Sequence, residues 1–219
     1  WDLEQARQTK LGQHKMLKAF AFHPMLPWLA SAGEDGFVRI WDYRAGGEPI
    51  APLAQPSWAR NILFSPDGET LASFSRDGSI GRLHLWEMPT GKPRPLEEPE
   101  GAILLSAWAF SPDSQFLAAN VGHDTRTPSL WRAADGKKVY QFVGHADSVR
   151  ALAFHPDGTR LATVSNDRTV KLWDAKNGRE LLSLSGHTQP VAGVAFSADG
   201  SPLITWSDRE IKIWNGAVK

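Results

Sequence analysis

Residues 144–174 read Gly-His-Ala-Asp-Ser-Val-Arg-Ala-Leu-Ala-Phe-His-Pro-Asp-Gly-Thr-Arg-Leu-Ala-Thr-Val-Ser-Asn-Asp-Arg-Thr-Val-Lys-Leu-Trp-Asp. Three strands are legible in this stretch. Val149 to Phe154 is a nearly continuous run of small and apolar residues, the pattern of an inner strand buried on both faces. His155-Pro156-Asp157-Gly158 then supplies turn chemistry: proline presets φ, aspartate bonds its own backbone and glycine takes a positive φ. A hairpin follows, and a third strand closes on Trp173-Asp174.

Working outward, Trp1, Trp41, Trp86, Trp131, Trp173 and Trp214 recur at intervals of 40, 45, 45, 42 and 41 residues. A period in the forties with a Trp closing a strand marks a propeller blade of four antiparallel strands. The turn recurs as His23-Pro24, Ser65-Pro66-Asp67-Gly68, Ser111-Pro112-Asp113-Ser114 and Ser197-Ala198-Asp199-Gly200. Five repeats, ending near Trp41, Trp86, Trp131, Trp173 and Trp214, therefore share one plan. Repeats share a core with their neighbours, so residues 1–219 are read as a single all-β unit. The outer strands turn polar and proline-rich, with Pro49, Pro52, Pro93 and Pro95, which blunts an exposed sheet edge.

The Gly-His, turn Asp and Trp-Asp combination resembles the WD-repeat β-propeller family over essentially the full chain. In that family a His before the inner strand, a Ser or Thr on the second strand, the turn Asp and the third-strand Trp form a buried hydrogen-bonded tetrad. The resemblance implies His145, Thr163, Asp167 and Trp173 for the fourth repeat and His187, Thr205, Asp208 and Trp214 for the fifth. It implies His14, Ser31, Asp35 and Trp41 for the first, with His14 shifted one place. Repeats two and three depart from the pattern: Gln55 and Gly101 stand where His is expected, and both repeats lengthen before the Trp, around Ser79 to Arg82 and Thr125 to Pro128. Those two blades are expected to be less rigid. A buried polar group left unsatisfied costs roughly 1–3 kcal/mol, so the repeated His-Asp-Ser set reads as structural. A catalytic triad needs an exposed nucleophile and an oxyanion pocket instead.

The ends leave blade closure open. Residues 5–11 read as an outermost strand, and the sequence stops after Trp214 before any fourth strand. Either residues 1–11 close a five-blade ring, or they are the tail of a preceding blade in a larger, seven-bladed propeller. The start on Trp1, without Met, suggests a piece of a longer multidomain chain.

Composition narrows the function. Lys plus Arg and Asp plus Glu are 24 each, giving zero net charge, so no bulk attraction to nucleic acid or membrane is implied. The absence of Cys excludes disulfides, thiolate metal sites and cysteine nucleophiles and is compatible with a cytoplasmic setting. No cofactor motif appears and no metal site is expected. His23 and His155 read as turn residues. His84 and His123 fall in irregular third strands, and Leu96 to Glu100 reads as a soluble acidic loop.

Propellers bind partners at the mouth of the central channel. Rim-facing candidates are Lys18, Trp58, Arg60 and Arg150 on the inner strands, and Glu34, Arg76 and Asn166 ahead of the turn Asp. Lys18, Arg60, Arg76 and Arg150 around Trp58 would form a cationic ring with an aromatic anchor, suited to an acidic or phosphorylated peptide. The function expected is a non-catalytic protein–protein interaction scaffold or sensor. The alternatives are a regulatory or ligand-binding propeller attached to a signalling enzyme, an enzymatic propeller, and a nucleic-acid binder, the last disfavoured by the neutral total charge.

Overall fold

The structure, a computed structural model, describes residues 10–78, 80–97, 107–121 and 124–216. The described residues form strands and no helix, in five antiparallel sheets. Blade one holds β1 (Leu17–Phe22), β2 (Trp28–Gly33), β3 (Phe37–Asp42) and β4 (Leu53–Ala54). Blade two holds β5 (Trp58–Phe64), β6 (Thr70–Asp77), β7 (Ile80–Glu87) and β8 (Lys92–Arg94). Blade three holds β9 (Trp108–Phe110), β10 (Phe116–Ala119), β11 (Ser129–Arg132) and β12 (Lys138–Gln141). Blade four holds β13 (Val149–Phe154), β14 (Arg160–Ser165), β15 (Val170–Asp174) and β16 (Glu180–Leu184). Blade five holds β17 (Val191–Phe196), β18 (Leu203–Ser207) and β19 (Ile211–Trp214).

Strand alternation gives each blade two apolar faces. The Trp-bearing face packs on the preceding blade: Ile62, Phe64, Leu71 and Trp86 of blade two meet Ala30, Ala32, Val38 and Ile40 of blade one. The same arrangement joins blades two and three, three and four, and four and five. The core is thus a row of sheet-to-sheet interfaces. At the two ends it stops: Phe20 and Phe22 on the Trp face of blade one are 64% and 62% exposed, and Ile211 and Ile213 on the opposite face of blade five are 74% and 60% exposed. The described blades form an open arc. Lys10 and Leu11 carry no strand, and the remainder of the expected outermost strand lies outside the described residues.

The turns between first and second strands also tie blades together. The ring of His23 accepts from the Met25 and Leu26 amides at 3.1 and 3.0 Å and lies against Gly68 of blade two, where a Cβ would come within 2.2 Å of it. His155 repeats the arrangement on Gly200 of blade five. These histidines are turn residues that also seat the next blade. Blades two and three are joined by the Asp67 amide on Ser114 Oγ at 3.0 Å, and by Arg94, which donates to the Ala133 carbonyl at 3.1 Å.

One expectation about the departing repeats changes. In blade two the added residues extend a regular hairpin, paired from Thr70–Glu87 out to Asp77–Ile80. His84 therefore sits on a regular strand, with its Nε2 2.9 Å from Ser75 Oγ. Glu97 lies in an exposed bend as expected and is anchored there, its amide donating to the Gly136 carbonyl and its carbonyl accepting from Trp131. Gly101, His123 and residues 98–100 lie outside the described residues.

Candidate functional site

The tetrads come first because they fix the turns that carry the rim. In blade four, His145 Nδ1 is 2.8 Å from Asp167 Oδ2 and its Nε2 is 2.8 Å from Thr163 Oγ1, which accepts from Trp173 Nε1 at 2.7 Å. One assignment satisfies every atom: Trp173 donates to the hydroxyl, the hydroxyl to Nε2, and Nδ1–H to the carboxylate. Burial lowers the pKa of His145, keeping it neutral. Burial opposes ionisation of Asp167, yet the Thr169 hydroxyl and amide, the Ala146 amide and His145 together bring its pKa down to about 2. In blade one His14 lies 3.0 Å from Asp35 and 2.7 Å from Ser31, which accepts from Trp41 at 2.6 Å. The hydroxyls of Ser31 and Thr163 are buried and fully engaged, so neither of these two is presented as a nucleophile.

Blade five requires a correction. His187 bonds Thr205 at 2.7 Å and Thr205 accepts from Trp214 at 2.8 Å, but the carboxylate partner is Glu210, at 3.1 Å, and not Asp208. The turn from Ser207 to Ile211 is one residue shorter than that from Ser165 to Val170. Asp208 thereby takes the register of Asn166, and the longer Glu210 side chain reaches back to His187 and the Thr188 amide. In blade two Gln55 replaces the imidazole and donates to Ser73, which also accepts from Trp86. In blade three Ala119 stands opposite Trp108 without a hydroxyl, and Trp131 donates instead to the Glu97 carbonyl at 2.8 Å.

The rim residues share a backbone cause. Lys18, Arg60 and Arg150 each sit at a register shift on the inner strand, between Leu17 and Ala19, Ala59 and Asn61, and Val149 and Ala151. Such a bulge leaves one residue unpaired and re-aims its side chain. Arg60 and Arg76, with Ser57, Trp58 and Gly78, line a cleft of about 280 Å³. Trp58 is directly opposite Arg76 across β5 and β6 and is 46% exposed. Arg76 Nε donates to the Gly78 carbonyl at 2.8 Å, and the Ser57 hydroxyl donates to the Arg76 carbonyl. Arg60 Nε is buried without a hydrogen-bond partner.

The four cations do not stand alike. Lys18 is neutralised by Glu34 at 2.8 Å, so these two cancel. Arg150 is exposed on β13, outside the cleft. The backbone N–H of Asn166 donates to the Ser148 carbonyl at 3.0 Å. The structure thus brings together Trp58, Arg60 and Arg76 and adds Ser57 and Gly78, which no spacing rule selects. Among the described residues no group of three or more His, Cys, Asp or Glu side chains is placed to hold a metal ion.

Comparison with known proteins agrees with this architecture. The nuclear distribution protein nudF of Emericella nidulans is 32% identical over 165 residues, covering 64% of this chain and 35% of that protein. The nuclear distribution protein PAC1 of Arthroderma otae is 31% identical over 191 residues, covering 74% and 40%. Coronin-7 of Bos taurus is 38% identical over 95 residues, covering 42% and 10%. The chain spans well under half the length of these relatives. The model of the WD domain, G-beta repeat, matches residues 6–42, 47–81, 136–174 and 178–215, passing over most of β7, all of β8 and blade three before Gly136. With more than half of its residues matched, the chain belongs to the WD domain, G-beta repeat family.

Proposed function

We propose that this chain is a non-catalytic protein–protein interaction module whose rim cleft at Trp58, Arg60 and Arg76 takes an acidic or phosphorylated peptide segment. The carrying observation is the pair of guanidinium groups, Arg60 and Arg76, that line one cleft beside Trp58. An oxyanion that enters the cleft gains charge-assisted contacts with the guanidinium N–H groups that line it, about 1.5–3 kcal/mol each. Trp58 offers a flat apolar platform beside them, the composition of a binding hot spot. The engaged tetrad hydroxyls support a non-enzymatic role. The same reading places the protein in the cytoplasm, testable by cell fractionation.

The test is fluorescence polarisation with labelled acidic and phosphorylated peptides. Arg60→Glu and Arg76→Glu are expected to weaken binding more than tenfold, and Lys18→Glu far less, because Glu34 already cancels Lys18. Equal binding by all three variants rejects the cleft. Tighter, salt-sensitive binding of an oligonucleotide instead favours nucleic acid.

A further inference from the structure

Two groups recur at the seams between blades. The first stands two residues after the blade Trp, where the amides of Met88, Ala133 and Ala175 donate to the carbonyls of Glu69, Gln115 and Thr159, just ahead of each second strand. Met88 is buried between blades one and two, in the cluster that also holds Leu53 and Ile50. Ala175 puts a single methyl at the equivalent place between blades three and four. The second group opens the turn after the inner strand. The rings of His23 and His155 lie within 2.2 Å of where a Cβ would stand on Gly68 and Gly200 of the next blade. Blade three has Ser111 there, and the nearest atom to that point on Gly158 is Pro112 Cδ, at 3.9 Å.

Two seams therefore lack both groups. Between blades two and three, Leu96 packs into the seam and Arg94 donates to the Ala133 carbonyl. Between blades three and four Tyr140 crosses, its hydroxyl donating to the Ala175 carbonyl. Beside it a cleft of about 330 Å³ stays open, with Phe116, Val139, Tyr140 and Phe154 among its walls. That volume suits one large side chain on an extended segment and not a helix about 10 Å across. Val139 is 39% exposed, so an apolar side chain entering here removes water from both surfaces.

The rim adds a charge preference. Asp157 is already met by His155 at 2.8 Å and Arg160 at 3.3 Å. Asp113 has no such cation among the described residues: the Ser111 hydroxyl and the Gln115 amide hold its Oδ1 at 2.5 and 3.1 Å, and Oδ2 is left for a partner. A carboxylate fixed in this way pairs at little cost in side-chain entropy. Lys176 also lines the cleft, but its long exposed chain must be ordered before it binds. We infer that the seam between blades three and four is a second docking site, for an extended segment of a partner protein. The segment sets a large apolar side chain against Phe116, Val139, Tyr140 and Phe154 and an Arg or Lys close by on Asp113. This site is independent of the cleft at Trp58, lies on other blades and prefers the opposite charge.

The experiment uses the absence of Cys: Gln115→Cys, on the cleft wall, gives a single thiol that captures short Gly-Ser peptides by equilibrium disulfide exchange. One probe carries Leu and Arg two residues apart, one Leu and Glu, and one Ser and Arg. The Leu-Arg probe is expected to be captured at least about tenfold more favourably than the other two. Adding Ala175→Met, which fills the place that Met88 fills between blades one and two, is expected to remove that preference, and Arg60→Glu to leave it intact. Equal capture of all three probes, or a preference that survives Ala175→Met, overturns the proposal. So does a preference for the Leu-Glu probe that Lys176→Glu abolishes. If Ala175→Met lowers the thermal midpoint, Val139→Asp supplies the same test from β12. Sedimentation as a dimer that Ala175→Met dissociates overturns the proposal in favour of a second copy.

Discussion

Thr163 shows how much one hydroxyl carries. Its proton goes to His145 and its lone pair takes the Trp173 indole proton, so Thr163→Val strands two buried groups at once. The expected loss is about 2–6 kcal/mol by urea denaturation, at 1–3 kcal/mol per orphaned group. In blade five Glu210→Ala is expected to destabilise more than Asp208→Ala, because only Glu210 bonds His187 and the Thr188 amide. His84 gives a pH signature: burial, aided by the charge of Arg82, lowers its pKa to about 4. Between pH 6.5 and 4 the unfolded chain binds the extra proton, so stability falls on acidification through that window, by up to about 3 kcal/mol. Below it, Asp167 adds a further loss as pH drops from the ordinary carboxylate range toward about 2. Stability measured against pH for His84→Gln is expected to flatten the upper part of the slope, leaving the share of His145, and to keep the lower. The tetrads of repeats one and four were legible because spacing survives there. Glu210 was not, because a one-residue deletion shifts the register of the turn.

At the level of elements, neighbouring blades are held by contacts about 45 residues apart, such as His23 on Gly68 and His155 on Gly200. Gly68 has φ +75° and no room for a Cβ beside the His23 ring. Gly68→Ala is therefore expected to cost more than about 1 kcal/mol, and His23→Ala in the same chain to recover the steric share while leaving the backbone strain. A double-mutant cycle reads that coupling directly. The sequence marked these residues as turn formers, since Pro and Gly chemistry is local. Their second role depends on which turn lies next door, and only packing decides that. The bulges at Lys18, Arg60 and Arg150 are similar: alternation singled out these positions, whereas the irregular pairing that displaces them is invisible to a two-residue period.

Across the whole molecule, stability is a sum over blade interfaces, and among the described residues the end blades have one each where the others have two. Hydrogen exchange is accordingly expected to be slowest in β6, β7 and β14 and fastest in β1 and β19. Uniform protection across all five blades would show instead that the ends are covered in solution.

The sequence by itself determined the all-β repeat architecture, the Trp-to-Trp period, the turn positions and the His-hydroxyl-Trp sets. All of these follow from short-range pattern and turn chemistry. Only the tertiary structure decided that Glu34 cancels Lys18, that Arg60 and Arg76 share a cleft with Trp58, and that Ile211 and Ile213 face solvent. Whether a charge meets a partner, or an apolar face a neighbour, depends on residues distant in the chain, and no local pattern records that.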